Sequence, residues 1–135
     1  MTEILRLRPE GLIHSPAFSH VAVVPPGATT VYVGGQNAVD ASGELIGGPD
    51  VAVQTQQALM NLRIALEAAG ASVDDVISVT VLLVDGVDVN ATYAPAASVF
   101  AGMAEPPLVT SAFVAGLGVP GALVEVAAVA AIAAR

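Results

Sequence analysis

At 135 residues the chain is long enough for one hydrophobic core and too short for two, so residues 1–135 are read as a single domain. Hydrophobic residues make up 55% and charged residues only 12%, against roughly 25% charged in an ordinary domain, which favours a second copy of the chain against part of the apolar surface. The formal charge of −8, the absence of lysine and the scatter of Arg6, Arg8, Arg63 and Arg135 argue against a nucleic-acid partner, and the absence of cysteine excludes disulfides, thiolate metal sites and a cysteine nucleophile.

Ile4–Arg8, Ser19–Val24 and Thr30–Gly35 read as short strands. Val21–Val24 and Val31–Val33 flank the loop Pro25-Pro26-Gly27, a pattern that predicts a hairpin. Ala38–Asp40 and Glu44–Ile46 lie either side of the turn Asp40-Ala41-Ser42-Gly43, as a second small hairpin or a loop. The spacing predicts a helix over Val51–Ala69, with Asp50 as N-cap and Gly70 at the left-handed C-terminal position. Its apolar face is Ala58, Leu59, Leu62, Ala65, Leu66 and Ala69, and Gln54, Gln56, Gln57, Arg63 and Glu67 are expected mostly on the other side.

Val76–Val84 is rich in β-branched residues and reads as a strand. A second helix is expected over about Asp88–Gly102, kinked or started late because Pro95 removes a backbone donor. Leu108–Val114 and Ala122–Ile132 read as the last two strands. The order predicts an α+β domain with both helices on one face of one sheet. Met1–Arg8 lacks the apolar core of a signal peptide, and Val126–Ala134 is too short for a span of about 20 residues, so a cytoplasmic protein without a membrane partner is expected.

Glu125 is the single ionisable side chain between Glu105 and Arg135, set between Ala122-Leu123-Val124 and Val126-Ala127-Ala128-Val129. A carboxyl group in apolar surroundings can act as a general acid or orient a water. The same alternation allows Glu125 to point simply to solvent from a one-sided strand, sharing a face with Leu123 and Ala127. His14 and His20 have no companion ligands at metal-binding spacing, and no Gly-x-x-x-x-Gly-Lys phosphate loop exists, so neither a metal nor a cofactor is expected. Gly34-Gly35-Gln36 ends a strand as a bulge or tight turn, or as a place where backbone N–H groups approach a ligand.

Several short motifs occur in a telling order. They are Tyr32-Val33-Gly34-Gly35-Gln36, then Asp40 to Gly48, then Gln54-Thr55, Ala58-Leu59, Asn61-Leu62 and Leu66 to Ser72. Asp74-Asp75-Val76, Thr80-Val81, Val89-Asn90-Ala91-Thr92-Tyr93, Pro106-Pro107 and Gly121 to Val126 follow. The set resembles the RidA/YjgF family of reactive-intermediate deaminases, also labelled endoribonuclease L-PSP, over nearly the whole chain. The resemblance implies a chorismate-mutase-like α+β subunit with a mixed sheet. It also implies a homotrimer with a small-molecule ligand in each inter-subunit cleft. Family members hydrolyse imines such as 2-aminoacrylate, an arginine holding the substrate carboxylate and a glutamate on the last strand positioning water or a proton.

Carried onto this chain, the family glutamate falls on Glu125, a cleft asparagine on Asn90 and a pocket-lining glycine on Gly35. The substrate-binding arginine falls on Val109, a pocket serine on Gly34, a pocket tyrosine on Phe18, and a small residue whose carbonyl lines the site on Ser111. Losing a charged partner from a buried contact costs on the order of 2–5 kcal/mol. The expectation is a Rid-like hydrolase acting on an imine, enamine or related compound without the usual α-carboxylate. The alternative is a non-catalytic binding or regulatory trimer. Ribonuclease activity fits the acidic, lysine-free composition poorly.

Overall fold

The computed structural model describes residues 2–134; Met1 and Arg135 lie outside the described residues. In chain order the elements are β1 (Leu5–Leu7), β2 (Val21–Val23), β3 (Thr29–Gln36), α1 (Val51–Ala68), β4 (Val76–Val84), α2 (Val89–Phe100), β5 (Leu108–Val114) and β6 (Val124–Ile132). Four strands form a mixed sheet in the order β3-β6-β4-β5. β6 runs antiparallel to β3 and β4, while β4 and β5 are parallel and joined through α2. The predicted α+β class, with two helices and a mixed sheet, is what the chain adopts.

Both helices pack on one face of this sheet. Leu59, Leu62 and Leu66 of α1 bury against Val76, Val79, Val81 and Leu83 of β4 and Val124, Val126, Ala128 and Ala130 of β6. Tyr93, Ala96, Val99 and Phe100 of α2 pack at the edge of that core. Asp50 starts α1 as predicted, its carboxylate accepting from the N–H groups of Ala52 (3.0 Å) and Val53 (3.2 Å). Gly70, with φ of 77°, ends it in the left-handed conformation that a glycine adopts without penalty. Asp88 caps α2 through Ala91 N–H at 3.1 Å and fixes its start at Val89. The helix therefore runs through Pro95 instead of starting late.

Two expectations fail. Val21–Val24 does not form a hairpin with Val31–Val33: β2 pairs with β1 in a separate two-stranded sheet, and β3 pairs with β6. Pro25 and Pro26 offer no N–H to extend a ladder, and β6 gives β3 a partner along its whole length. The β1–β2 ribbon is tied instead to the β4–β5 end of the main sheet. Arg6 donates to the carbonyls of Val76 and Asp74, each at 2.9 Å, and Ser19 N–H donates to Pro107 O at 3.1 Å. Partial burial lowers the Arg6 pKa from its ordinary value, opposed by the nearby Asp75, Asp74 and Glu105.

Gln54, expected on the outer side of α1, is fully buried. Its Nε2 donates to Gly48 O (2.6 Å) and Gly121 O (3.0 Å), and its Oε1 accepts from Leu123 N–H (2.8 Å). Amphipathic spacing cannot anticipate this, because an amide whose polar atoms are all satisfied is compatible with the core. One side chain thus joins the loop before α1, the helix itself and the entry to β6. Gln54→Ala leaves these backbone groups unpaired away from water and is expected to cost about 2–4 kcal/mol. Chemical denaturation checks this, with a lower midpoint and an unchanged slope.

Candidate functional site

Side chains along β6 alternate between two environments. Val124, Val126, Ala128 and Ala130 enter the core under the helices, and Glu125, Ala127 and Val129 project from the opposite, uncovered face. Across the sheet Leu82 stands opposite Glu125, Thr80 opposite Ala127 and Tyr32 opposite Val129. Tyr32 is 78% exposed and Thr80 is exposed, so this face is open in the single chain. Glu125 itself is half-buried.

The half-burial comes from β3. Its register against β6 shifts between Val33, opposite Ala128, and Gln36, opposite Val126, so Gly34-Gly35 form a β-bulge beside Glu125. A Cβ on Gly35 would lie 2.6 Å from both Cδ and Oε2 of Glu125, whereas one on Gly34 would meet nothing. Gly35 therefore leaves room for the Glu125 carboxylate in this position, where it rests against bare backbone. The other oxygen is held from the chain that follows: Asn37 Nδ2 donates to Glu125 Oε1 at 3.2 Å. Asn37 is fixed in turn by α1, where Asn61 Nδ2 donates to the carbonyls of Asn37 (3.0 Å) and Val39 (2.8 Å) and Gln57 Nε2 donates to Asn61 Oδ1 (3.0 Å).

Sequence reasoning missed Asn37 and Asn61. Asn37 directly follows the Gly-Gly-Gln motif, and an amide at the end of a bulged strand was the available signal. Among the described residues no cation pairs with Glu125. Arg6 is committed to backbone carbonyls, Arg8 pairs with Glu105 at 3.6 Å, and Arg63 lies exposed on α1 beside Met60 and Pro95.

The remaining predicted residues are not brought to this group within one chain. Val109 and Ser111 lie on β5, in parallel register with the buried Val79 and Val81, and so face the helix side of the sheet, away from Glu125. Phe18 sits beside the start of β5, where Ser19 bridges to Leu108, and its ring meets that of His20 edge-on at 5.4 Å. Asn90 is exposed in the first turn of α2. The predicted set thus divides into Gly34, Gly35 and Glu125 on one side and Phe18, Val109 and Ser111 on the other, with Asn90 apart from both.

A family model described as endoribonuclease L-PSP matches residues 13–132. The chain belongs to this family, the Rid/YjgF family. YyfB of Yersinia pestis, described as a protein of unknown function of the conserved Rid family, superposes with a TM-score of 0.88 at 33% identity, covering 98% of this chain and 100% of that one. The YjgF gene product of E. coli superposes with a TM-score of 0.67 at 30% identity, covering 79% and 83%. Human 2-iminobutanoate/2-iminopropanoate deaminase is 44% identical over 62 residues, 45% of this chain and 44% of that protein. A RutC family protein of Pyrococcus horikoshii is 46% identical over 56 residues, 41% and 44% of the two chains. The matched stretches therefore span less than half the length of these curated relatives. Among the described residues no helix of this Rid-family chain is long and apolar enough to cross a membrane.

Gly35→Ala is expected to displace the Glu125 carboxylate and break its bond to Asn37, at a stability cost within about 1 kcal/mol because the clashing atoms end a flexible side chain. Gly34→Ala, with open space at its Cβ, is expected to leave that bond intact. Crystal structures of the two variants check the contrast.

Proposed function

We propose that this Rid-family chain hydrolyses a small imine or enamine that lacks the usual α-carboxylate, with Glu125 as the proton-handling group. The observation that carries the reading is the setting of Glu125: one oxygen bonded to Asn37, the other against Gly35, and no cation paired with it among the described residues. In the reaction water adds to the C=N carbon, Glu125 accepts its proton and returns it to the departing nitrogen, and ammonia leaves a carbonyl product. The water supplies the product oxygen and the protons that convert =NH to NH3; an enamine first takes a proton at carbon. A positioned general acid–base of this kind contributes roughly 10²- to 10⁴-fold.

The uncovered face around Glu125 supports an oligomeric site. Tyr32, Ala127 and Val129 share this face with the carboxylate, and a second chain on this face would enclose it and exclude water. The arrangement we propose is a homotrimer with one ligand cleft per subunit boundary. Phe18, Val109, Ser111 and Asn90 of one copy would then complete the wall facing Gly34, Gly35 and Glu125 of the next.

Val109 supports the substrate class proposed. The human relative is named for 2-iminobutanoate and 2-iminopropanoate, both carboxylates, and valine offers such a group no charge and no hydrogen bond. The same residue favours the second reading, a non-catalytic binding trimer, which would show saturable binding without ammonia. The family's endoribonuclease label finds no support in a chain of net charge −8 without lysine.

Ammonia release from neutral imines is expected to fall about 100-fold or more in Glu125→Gln, and equal rates would remove the hydrolase reading. In Val109→Arg, 2-aminoacrylate is expected to become a substrate, its KM falling relative to wild type; coupled assay of the keto product measures this.

A further inference from the structure

Between α1 and α2 the helix layer is open to solvent. Gln56, Met60 and Arg63 follow one another at one-turn spacing along α1, and Pro95, Ser98 and Val99 face them from α2. Pro95 and Ser98 are short, so the helices do not close over the buried Leu59, and a groove of about 250 Å³ remains. Met60 is 57% exposed at its rim. None of these residues belongs to the candidate site, and Glu125 projects from the other face of the sheet.

Among the described residues Arg63 makes no ion pair, whereas Arg8 is held by Glu105 and Arg6 by backbone carbonyls. Glu67 stands one turn further along α1, but an arginine-first pair has the weaker orientation on a helix. No carboxylate lines the groove. In a chain of net charge −8, an uncompensated guanidinium beside an apolar base favours an anion that carries its own apolar body.

We propose that this groove binds a small monocarboxylate with a short apolar tail. Arg63 takes the carboxylate, the Gln56 amide and the Ser98 hydroxyl offer further donors, and Leu59, Met60, Pro95 and Val99 cover the tail. The flexible thioether of Met60 adapts to tails of different shape. Size sets the limit: an apolar cavity of roughly 150 Å³ takes up benzene, so this groove admits a tail of about six heavy atoms with its head group. Phosphate fits less well. It would leave the apolar base unused and meet a single cation, because the N–H groups of helix interiors are already bonded.

The test titrates hexanoate into the full chain while isotope-labelled methionine methyls are followed by NMR. Met60 lines the groove and Met103 lies elsewhere, near Val109, so one spectrum holds both probe and control. It reads binding and not turnover, so its outcome is independent of the hydrolase reading. A saturable shift of the Met60 methyl is expected, with Kd below about 5 mM, while Met103 stays unmoved. Acetate, which lacks the tail, is expected to bind at least about tenfold more weakly. Hexanol, which lacks the charge, is expected to bind at least about threefold more weakly. Arg63→Gln changes an exposed side chain and leaves the fold intact. It is expected to weaken hexanoate at least about threefold and to leave hexanol unchanged. Ser98→Leu fills the groove and is expected to weaken both probes. Absence of a saturable Met60 shift, an equal shift at Met103, or undiminished hexanoate binding in Arg63→Gln would overturn the site. Should Ser98→Leu not fold, the contrast between hexanoate and hexanol in Arg63→Gln decides.

Discussion

Side chains alternate across a strand, and the arrangement of this protein depends on how β6 uses that alternation. One set of β6 residues, Val124 to Ala130, closes the core with Leu62 and Leu66, while the other presents Glu125 on the uncovered face. A slip of one residue would exchange the two sets and drive the carboxylate into the leucines. The register is therefore strongly determined, and Gln54 sets it at the point of entry. Its buried amide holds Gly121 O and Leu123 N–H immediately before the strand begins. Further along, the bulge in β3 accommodates the side chain that the register delivers. Core packing and the candidate site are consequences of the same placement.

Much of this was legible from local pattern. Val76–Val84 and Leu108–Val114 have the bounds that their β-branched runs predict, and Asp50 and Gly70 delimit α1 as capping chemistry requires. Glu125 was identifiable as the lone charge in an apolar strand, and the family motifs gave Gly35 beside it. What escaped was non-local. The partner of β3 lies nearly a hundred residues away, so proximity in sequence suggested β2 instead. Gln54 looked like surface because hydrophobic periodicity weighs residue type and not the satisfaction of polar atoms. Asn37 and Asn61 escaped for the same reason: two amides far apart in sequence are meaningful once the loop after β3 folds back over α1.

The division of the predicted residues between the two faces of the sheet has a physical consequence. Val109 lies on an edge strand with its side chain turned to the helices, and Glu125 lies on an inner strand with its side chain turned away from them. No rotamer of either joins them through a sheet one layer thick. Residues of one chain can meet those of the other set only across a boundary between copies. The face that would form such a boundary carries Tyr32, Ala127 and Val129 as well as Glu125, apolar surface that gains by being covered.

Covering it would change the carboxylate as well as the surface. In the single chain Glu125 is positioned by Gly35 and Asn37 but not enclosed. Its Oε1 already accepts from Asn37, while Oε2 lies beside a glycine whose side offers no competing donor. Once water is excluded, Oε2 is the acceptor left to bind whatever enters, and an unpaired buried carboxylate oxygen is costly. Assembly and ligand recognition would thus draw on one surface: the apolar residues favour closing it, and the oxygen left unsatisfied on closing favours a proton donor inside.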